Sequence, residues 1–217
     1  MDEARKVTSV PFDPFQTNQA KLTTLFRITY VDPSGKTRTW ESAERSTRPE
    51  SSDIDGVGIL AVIPTSTGPQ IILQKQFRPP LGKVTIEVPA GLVDEGESAE
   101  EAALRELKEE TGYVGTIESE HEEGGGSGSG VMFNDPGFTN TNLRMIHVRI
   151  DPNHPENFPE NLKPHLEPNE YIEVFMCPLE DLWRKCKQWE GEGYAIDARV
   201  GSLAEGIEVG RRWGVGR

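Results

Sequence analysis

Acidic side chains recur at fixed spacing in one short segment of the chain, GESAEEAALRELKEETG. Glu106 is followed by Glu109 three positions later and by Glu110 four positions later, so on a helix the three carboxylates would be neighbours. Like charges at these spacings weaken an isolated helix by about 0.2–0.5 kcal/mol per pair, which favours a cation nearby. Carboxylate oxygens suit Mg²⁺ and Mn²⁺, with water and substrate phosphates completing the octahedron. The pattern therefore predicts a divalent metal site; the alternative is a solvated acidic helix face.

The same segment contains the signals that would form and orient this helix. Ser98 and Glu101 have the spacing of a capping box, and Gly112 can adopt the positive φ of a helix end. Arg105 can reach Glu101 or Glu109, each four positions away, and is interpreted as an organiser of the carboxylates. Small and apolar residues at helical spacing predict a face that lies close to a sheet: Ala99, Ala102, Ala103 and Leu107.

Strand patterns surround this helix. A hairpin is predicted where residues 25–30 and 37–42 flank the turn Asp32-Pro33-Ser34-Gly35, and residues 45–55 read as a polar linker. Residues 122–130 are rich in glycine and serine and predict a mobile loop. Further strands are predicted at 58–63, 70–77, 85–88, 144–150 and 171–176, and two helices are predicted from Leu179 and from about Ala198. This order favours an α+β fold with a mixed sheet between helices, an α/β/α sandwich.

Composition sets limits on the partners and the compartment. The formal charge of −13 over 217 residues argues against nucleic acid and against an anionic membrane surface. The N-terminus lacks an apolar signal region, and the longest apolar run, residues 57–64, is too short to span a bilayer. Cys177 and Cys186 have neither a disulfide framework nor zinc spacing. We therefore expect a soluble protein of a reducing compartment.

The acidic segment resembles the signature of the Nudix hydrolases. That signature is Gly, five residues, Glu, seven residues, then Arg-Glu-aliphatic-any-Glu-Glu-any-Gly-aliphatic, and the chain departs from it only at Tyr113, a packing position. The resemblance implies metal-dependent hydrolysis of a nucleoside diphosphate linked to another group. The matching residues are Gly91, Glu97, Arg105, Glu106, Leu107, Glu109, Glu110 and Gly112.

Motifs outside the signature are similar to those of the ADP-ribose pyrophosphatase branch of this family. They include residues 38–42, 76–80, 87–91, 135–137 and 197–200. The likeness implies a Nudix fold in residues 55–217 and a small N-terminal antiparallel β-sheet domain in residues 1–54. It also implies a homodimer in which this N-terminal sheet is swapped and each active site draws on both subunits. The implied reaction converts ADP-ribose and related ADP-sugars to AMP and ribose 5-phosphate.

The resemblance also implies roles for single residues. Trp40 would stack on the adenine and Glu41 would hydrogen-bond it, while Arg45 and Arg78 would bind the diphosphate. Asp135 is a further substrate-binding candidate. Catalysis is expected from the group Arg105, Glu106, Glu109, Glu110 and the general base Glu170; Mg²⁺, or Mn²⁺, is expected on the Ala90 carbonyl, Glu106, Glu109 and Glu110.

Two alternatives to this reading stay open. One is a Nudix hydrolase that prefers an oxidised nucleotide, a dinucleotide or another nucleotide sugar. The other is a non-catalytic module that binds a nucleotide, against which the intact set of carboxylates argues. Leu22 stands where relatives carry a second tryptophan, so adenine binding is expected to be weaker or to be shared with Phe26. A cytoplasmic protein is expected, and the nucleus is the other compartment compatible with the sequence.

Overall fold

Alternating side chains of the central strands divide the core into two layers. The computed structural model describes residues 5–11, 21–118 and 128–215. Strand β4 (Gly56–Ile63) contributes Val57, Ile59, Ala61 and Ile63 to one layer, whereas Ile71 and Leu73 of β5 (Gln70–Arg78) enter the other. Because strand side chains alternate in direction, both faces of this sheet must be covered. The predicted α/β/α sandwich is confirmed.

Strands from distant parts of the sequence form the main sheet. Besides β4 and β5 it contains the strands β6 (Lys83–Glu87), β7 (Ala90–Leu92), β8 (Thr116–Ile117), β9 (Met132–Phe133), β10 (Asn142–Arg149), β11 (Ile172–Pro178) and β12 (Ala195–Ile196). The strand order is β12-β6-β5-β4-β10-β8, with β11 paired to β5, β7 to β4 and β9 to β10. The pairs β4–β10 and β6–β12 are parallel and the others are antiparallel, so the sheet is mixed as predicted.

Helix α1 (Ala99–Thr111) covers the first core layer. Ser98 and Glu101 form the predicted capping box, and Gly112 ends the helix with a φ of 77°. The helix buries its small-residue face, so its backbone approaches the sheet closely. The buried residues of this face are the predicted Ala99, Ala102, Ala103 and Leu107.

Helices α2 (Leu182–Gly191) and α3 (Ala198–Trp213) cover the opposite layer. A 3₁₀ turn over Leu179–Asp181 precedes α2, so the regular helix begins later than predicted. Asp197 caps α3 by accepting a hydrogen bond from the backbone of Arg199, which agrees with the predicted start. Within the described parts of the chain, no helix is long and apolar enough to cross a bilayer.

The N-terminal strands form a separate antiparallel sheet of three strands, β1 (Arg5–Pro11), β2 (Thr23–Val31) and β3 (Thr37–Arg45). The predicted turn joins β2 to β3: Gly35 donates to the Asp32 carbonyl over 2.9 Å and has a φ of 81°. This sheet is distinct from the nine-stranded one, but the boundary at residues 54 and 55 stays a prediction.

Residues 46–55 are more ordered than a linker, because a buried carboxylate holds them. Asp55 accepts two hydrogen bonds from the guanidinium of Arg48, over 3.0 and 2.7 Å, and one from the backbone of Asn142 over 2.9 Å. The Asn142 side chain in turn accepts from the Asp55 backbone over 2.9 Å. The linker prediction missed these contacts because their partners are far apart in sequence.

The prediction of a mobile loop at residues 122–130 is wrong for its last part. Residues 119–127 lie outside the described parts of the chain. Gly128 forms an antiparallel bridge with Ile146, and Ser129 exchanges hydrogen bonds of 2.9 Å with Met145. A Cβ on Gly128 would lie 2.0 Å from the Met145 carbonyl oxygen, so the missing side chain permits the packing. Glycine here allows close approach to β10.

Replacing Asp55 with Ala should destabilise the protein. The change leaves the Arg48 guanidinium and the buried Asn142 N–H without their acceptor, which costs about 2 kcal/mol for hydrogen bonds to a charged group. Urea unfolding followed by circular dichroism measures the free energy of unfolding. Asp53→Ala is the matched control, because Asp53 is exposed and contributes its backbone carbonyl to the network. Equal stability of the two variants would contradict a structural role for the Asp55 carboxylate.

Candidate active site

A cavity of about 630 Å³ opens where α1, β7 and the start of α3 meet. Its wall contains acidic side chains from α1 and from the loop before β11, together with one arginine of α1 and arginines from three other parts of the chain. The predicted residues that line it are Arg45, Arg78, Ala90, Arg105, Glu106, Glu109 and Glu170. The fold therefore gathers most of the predicted site in one place.

Glu106 occupies space that only glycine leaves open. A Cβ built on Gly91 would lie 1.9 Å from the carboxyl carbon of Glu106. Gly91 is in β7, so its bare backbone lets this carboxylate rest against the strand. Burial raises the pKa of Glu106, whereas the adjacent Arg105 opposes that rise. The signature glycine thus determines where the Glu106 carboxylate can lie.

Glu110 is the most buried carboxylate of the helix, with 4% of the residue exposed. Its carboxylate accepts a hydrogen bond from the Ala90 backbone N–H over 2.9 Å and one from Gln74 over 3.4 Å. Burial raises the pKa of Glu110 to about 8, and repulsion from Glu106 and Glu170 adds to the effect. Ionisation of this buried carboxyl group costs free energy because its charge loses hydration. A neighbouring cation would offset that loss, so the group is suited to one.

Arg105 connects three carboxylates, in agreement with its predicted role as an organiser. Its guanidinium donates to both oxygens of Glu97, over 2.8 and 2.9 Å, to Glu106 over 2.8 Å and to Glu109 over 3.1 Å. It also donates to the Leu92 carbonyl over 3.0 Å. Of the two partners predicted at four-residue spacing, Glu109 is confirmed and Glu101 is wrong. The Glu101 carboxylate is held by Ser98 in the capping box.

The donor set is of the kind that binds divalent metal, although the metal site itself stays a prediction. Among the described residues, no three His, Cys, Asp or Glu side chains form a ready-made metal cluster. Arg105 draws Glu106 and Glu109 toward itself, while Glu110 is bonded to the Ala90 backbone. Hard oxygen donors beside a glycine cradle nevertheless fit Mg²⁺ or Mn²⁺, which commonly keep several waters.

The loop that carries Glu170 is fastened to the end of α1. The backbone N–H of His165 donates to the Glu109 carbonyl over 2.7 Å, and a Cβ on Gly112 would lie 2.7 Å from the Lys163 nitrogen. Gly112 therefore allows the helix to end and also leaves room for this loop. Glu170 accepts a hydrogen bond from the backbone of Glu167 over 3.0 Å. Both residues face the cavity, so the loop brings a carboxylate from outside the signature.

Sequence reasoning missed several residues of the cavity wall. Asp55, Asn142, His165 and Glu167 reach it through contacts between distant segments, for which the sequence carries no local signal. Arg199 belongs to a motif that resembles the pyrophosphatase branch, so a signal for it existed, but no role was predicted.

Trp40, Glu41 and Asp135 do not line this cavity. The Trp40 indole donates to the Gly137 carbonyl over 2.9 Å and the residue is 51% exposed. The Glu41 side chain is 76% exposed, with Arg27 3.7 Å away. Asp135 accepts hydrogen bonds at its backbone carbonyl from Phe138 and Thr139. Within one chain, these three predicted substrate-binding residues are therefore separated from the carboxylates, and their roles stay predictions.

Comparison with known proteins agrees with this geometry. Residues 54–198 match the NUDIX domain. The chain belongs to the Nudix family. It is 44% identical to an uncharacterised Nudix hydrolase of Schizosaccharomyces pombe, over 98% of each chain. It is 46% identical to an ADP-ribose pyrophosphatase of Saccharomyces cerevisiae, over 91% of this chain and 82% of the relative.

Two further comparisons extend this result. The Nudix chain is 36% identical to an ADP-sugar pyrophosphatase of Mus musculus, over 84% of this chain and 80% of the relative. A solved structure described as an ADP compounds hydrolase superposes with a TM-score of 0.55 at 18% identity, covering 99% of this chain and 96% of the other. This superposition supports the Nudix fold alone.

Replacing Gly91 with Ala should lower hydrolase activity with little loss of stability. The new methyl group would occupy the position of the Glu106 carboxylate, which can swing away because it ends a flexible side chain. A displacement of about 1 Å at a reacting site can reduce the rate roughly 100-fold. Steady-state kinetics measure this loss and thermal unfolding measures stability.

Gly206→Ala is the matched control for Gly91→Ala. A Cβ on Gly206 would meet no atom within 4 Å, and the residue lies inside α3. We expect wild-type activity from this variant and a slight gain in stability, because alanine favours a helix. Wild-type activity in Gly91→Ala would contradict the positioning of Glu106 by the glycine.

Proposed function

We propose that this Nudix protein hydrolyses the diphosphate of ADP-ribose and related ADP-sugars, releasing AMP and ribose 5-phosphate from ADP-ribose. The observation that carries the proposal is the meeting of Glu106 and Glu109 of the Nudix signature with Arg45 and Arg78 in the wall of one cavity. Such a cavity suits an anionic diphosphate bridged to metal on one side and to guanidinium groups on the other. Relatives that match most of the chain are named as ADP-ribose and ADP-sugar pyrophosphatases, which supports this substrate class.

The residues that would hold Mg²⁺ or Mn²⁺ are the Ala90 carbonyl, Glu106, Glu109 and Glu110. Bound metal would neutralise diphosphate charge and lower the pKa of an attacking water. Two observations support these roles: the carboxylate of Glu110 accepts a hydrogen bond from the Ala90 backbone, and that of Glu106 occupies the space beside Gly91. Arg105 keeps Glu106 and Glu109 together despite their like charges.

Glu170 is the general base of the proposed mechanism. It lies in the cavity wall but outside the signature helix, so it would retain its lone pairs when the helix carboxylates bind metal. Its loop is anchored through His165 to the Glu109 carbonyl. This attachment joins the loop of the proposed base to the helix that carries the proposed metal ligands.

The same proposal includes a homodimer in which the N-terminal sheet serves the partner subunit. Residues 37–41 of β3 are exposed on both faces, and large apolar side chains lie exposed nearby, including Leu22, Leu25, Trp40 and Phe138. A second copy of the chain would cover this surface and bring Trp40 and Glu41 to the other active site. Asp135 would act from the adjacent loop, which Trp40 contacts at Gly137.

A panel of nucleoside diphosphate derivatives with Mg²⁺ tests the proposed activity. We expect rapid release of AMP from ADP-ribose, resolved by ion-exchange chromatography, and loss of turnover when EDTA removes the metal. Restoration by added Mg²⁺ or Mn²⁺ is the control for chelation. Turnover confined to an oxidised nucleotide or a dinucleotide would select a different Nudix activity. Binding without products would identify a non-catalytic module.

Mixed dimers test whether Trp40 serves the partner subunit. Trp40→Ala should raise KM because adenine loses a stacking surface worth roughly 1–3 kcal/mol, and Glu110→Gln should abolish turnover. Co-expression of the two variants with different tags gives dimers in which one site combines an intact metal set with the other subunit's Trp40. We expect these dimers to recover a wild-type KM.

Two outcomes of this test would contradict the shared site. If Trp40 acts within its own subunit, no site in the mixed dimer is complete and KM stays raised. If no mixed species can be purified through both tags, the chain does not form the dimer. Dimers of Glu110→Gln alone provide the background rate.

A further inference from the structure

Two arginine–carboxylate pairs lie side by side in the cavity wall. Arg78 of β5 donates two hydrogen bonds to Glu87 of β6, over 2.7 and 2.6 Å. Arg199 of α3 donates two to Asp197, over 2.7 and 2.9 Å. The pairs are linked, because Nη2 of Arg199 lies 4.0 Å from Glu87. Arg199 of α3 therefore lies beside Arg78, the arginine proposed above to bind the diphosphate.

Both carboxylates accept hydrogen bonds from the same edge of the guanidinium group. Both guanidinium groups use Nε and Nη2 for the pair, and in the described parts of the chain Nη1 of neither has a hydrogen-bond partner. The side chain of Glu87 is only 3% exposed, whereas those of Arg78 and Arg199 are 41% and 20% exposed. A buried carboxylate and a partly buried one, Asp197, thus orient two donors that remain available to an anion in the cavity.

The position of Arg199 relates it to the expected metal site. Its Nη1 would lie 3.6 Å from a Cβ on Gly58, so this guanidinium rests against β4. Gly58 is the strand partner of Ala90, whose carbonyl is an expected metal ligand. A phosphate bound between metal and Arg78 would therefore have Arg199 within its surroundings.

The negative charge of the cavity wall explains why a second arginine, Arg199, would help to bind an anion. The cavity wall carries many carboxylates besides those of α1, including Asp55, Asp94, Glu167 and Glu170. An anionic diphosphate entering such a site is repelled wherever metal does not face it. Planar guanidinium groups match phosphate oxygens and stay charged at any working pH, so a pair of them stabilises the bound anion better than one.

We propose that Arg199 is a substrate-binding residue that holds the diphosphate together with Arg78, and that Asp197 is a positioning residue acting through Arg199. The proposal deepens the proposed function and rests on it for the identity of the substrate. A purely structural role is the alternative, in which the pair only fixes the start of α3. That start is already capped, because Asp197 accepts the backbone N–H of Arg199 over 2.9 Å.

Substitution of Arg199 tests the proposal. Arg199→Gln should raise KM for ADP-ribose roughly tenfold or more, as expected for a lost hydrogen bond to a charged group, with a smaller fall in kcat. The inhibition constant of AMP, a product carrying one of the two phosphates, should rise as well. Arg199→Lys keeps the charge without the planar fork and should lie between wild type and Arg199→Gln. Thermal unfolding of each variant reports its stability.

Arg184→Gln is the matched control. Arg184 pairs with Asp181 on the exposed side of α2 and does not line the cavity. We expect wild-type KM and kcat from it. A wild-type KM in folded Arg199→Gln, with only a lower melting temperature, would overturn the proposal in favour of the structural role. If Arg199→Gln does not fold, an unchanged KM in Arg199→Lys overturns it.

A double mutant tests whether Asp197 acts on the substrate only through Arg199. Asp197→Asn should raise KM less than Arg199→Gln, and adding it to Arg199→Gln should change KM no further, because its effect passes through the missing guanidinium. Independent, additive effects would overturn the positioning role. If wild type hydrolyses another nucleoside diphosphate derivative, the proposed substrate fails, and the same KM comparison with that compound still decides the role of Arg199.

Discussion

Repulsion between carboxylates gathered beside one short strand is the constraint on which the rest of the site depends. Glu106 and Glu110 both lie against β7, where burial raises the pKa of each, and the charge of Glu106 raises the pKa of Glu110 further. The protein offsets part of this cost with Arg105, which bonds three glutamates at once. The remaining charge is what a divalent cation would compensate.

The fold supplies the support that keeps these charges together. The small-residue face of α1 packs on the sheet, which leaves its acidic face toward the cavity. The end of the same helix holds the loop of Glu170 through the Glu109 carbonyl. The loop that carries the proposed base is thus bonded to the helix that carries three of the proposed metal ligands.

Arginine side chains also line the cavity. Carboxylates hold two of them in place, just as Arg105 holds two glutamates of α1. Arg78 is fixed by the buried Glu87 and Arg199 by the partly buried Asp197, so the planes of both guanidinium groups are oriented before any substrate arrives. Such orientation reduces the entropy lost when a phosphate binds. The strongly acidic chain can in this way receive an anion at one restricted place. Trp40 and Glu41 lie outside the cavity of a single chain, and the proposed dimer is the arrangement that would bring them to it.

The sequence by itself determined the elements whose causes are local. The capping box at Ser98, the helix end at Gly112, the turn at Asp32–Gly35 and the alternating strands all follow from side chains a few residues apart, and the structure confirms them. The resemblance to the Nudix signature predicted the family, and the match of residues 54–198 to the NUDIX domain confirms it. Only the tertiary structure determined the contacts between residues that are far apart in the sequence. It showed that Asp55 fastens the supposed linker, that Ser129 packs on β10, and that Arg199 stands beside Arg78. Spacing along a chain carries no record of such contacts, because they exist only once packing has brought the partners together.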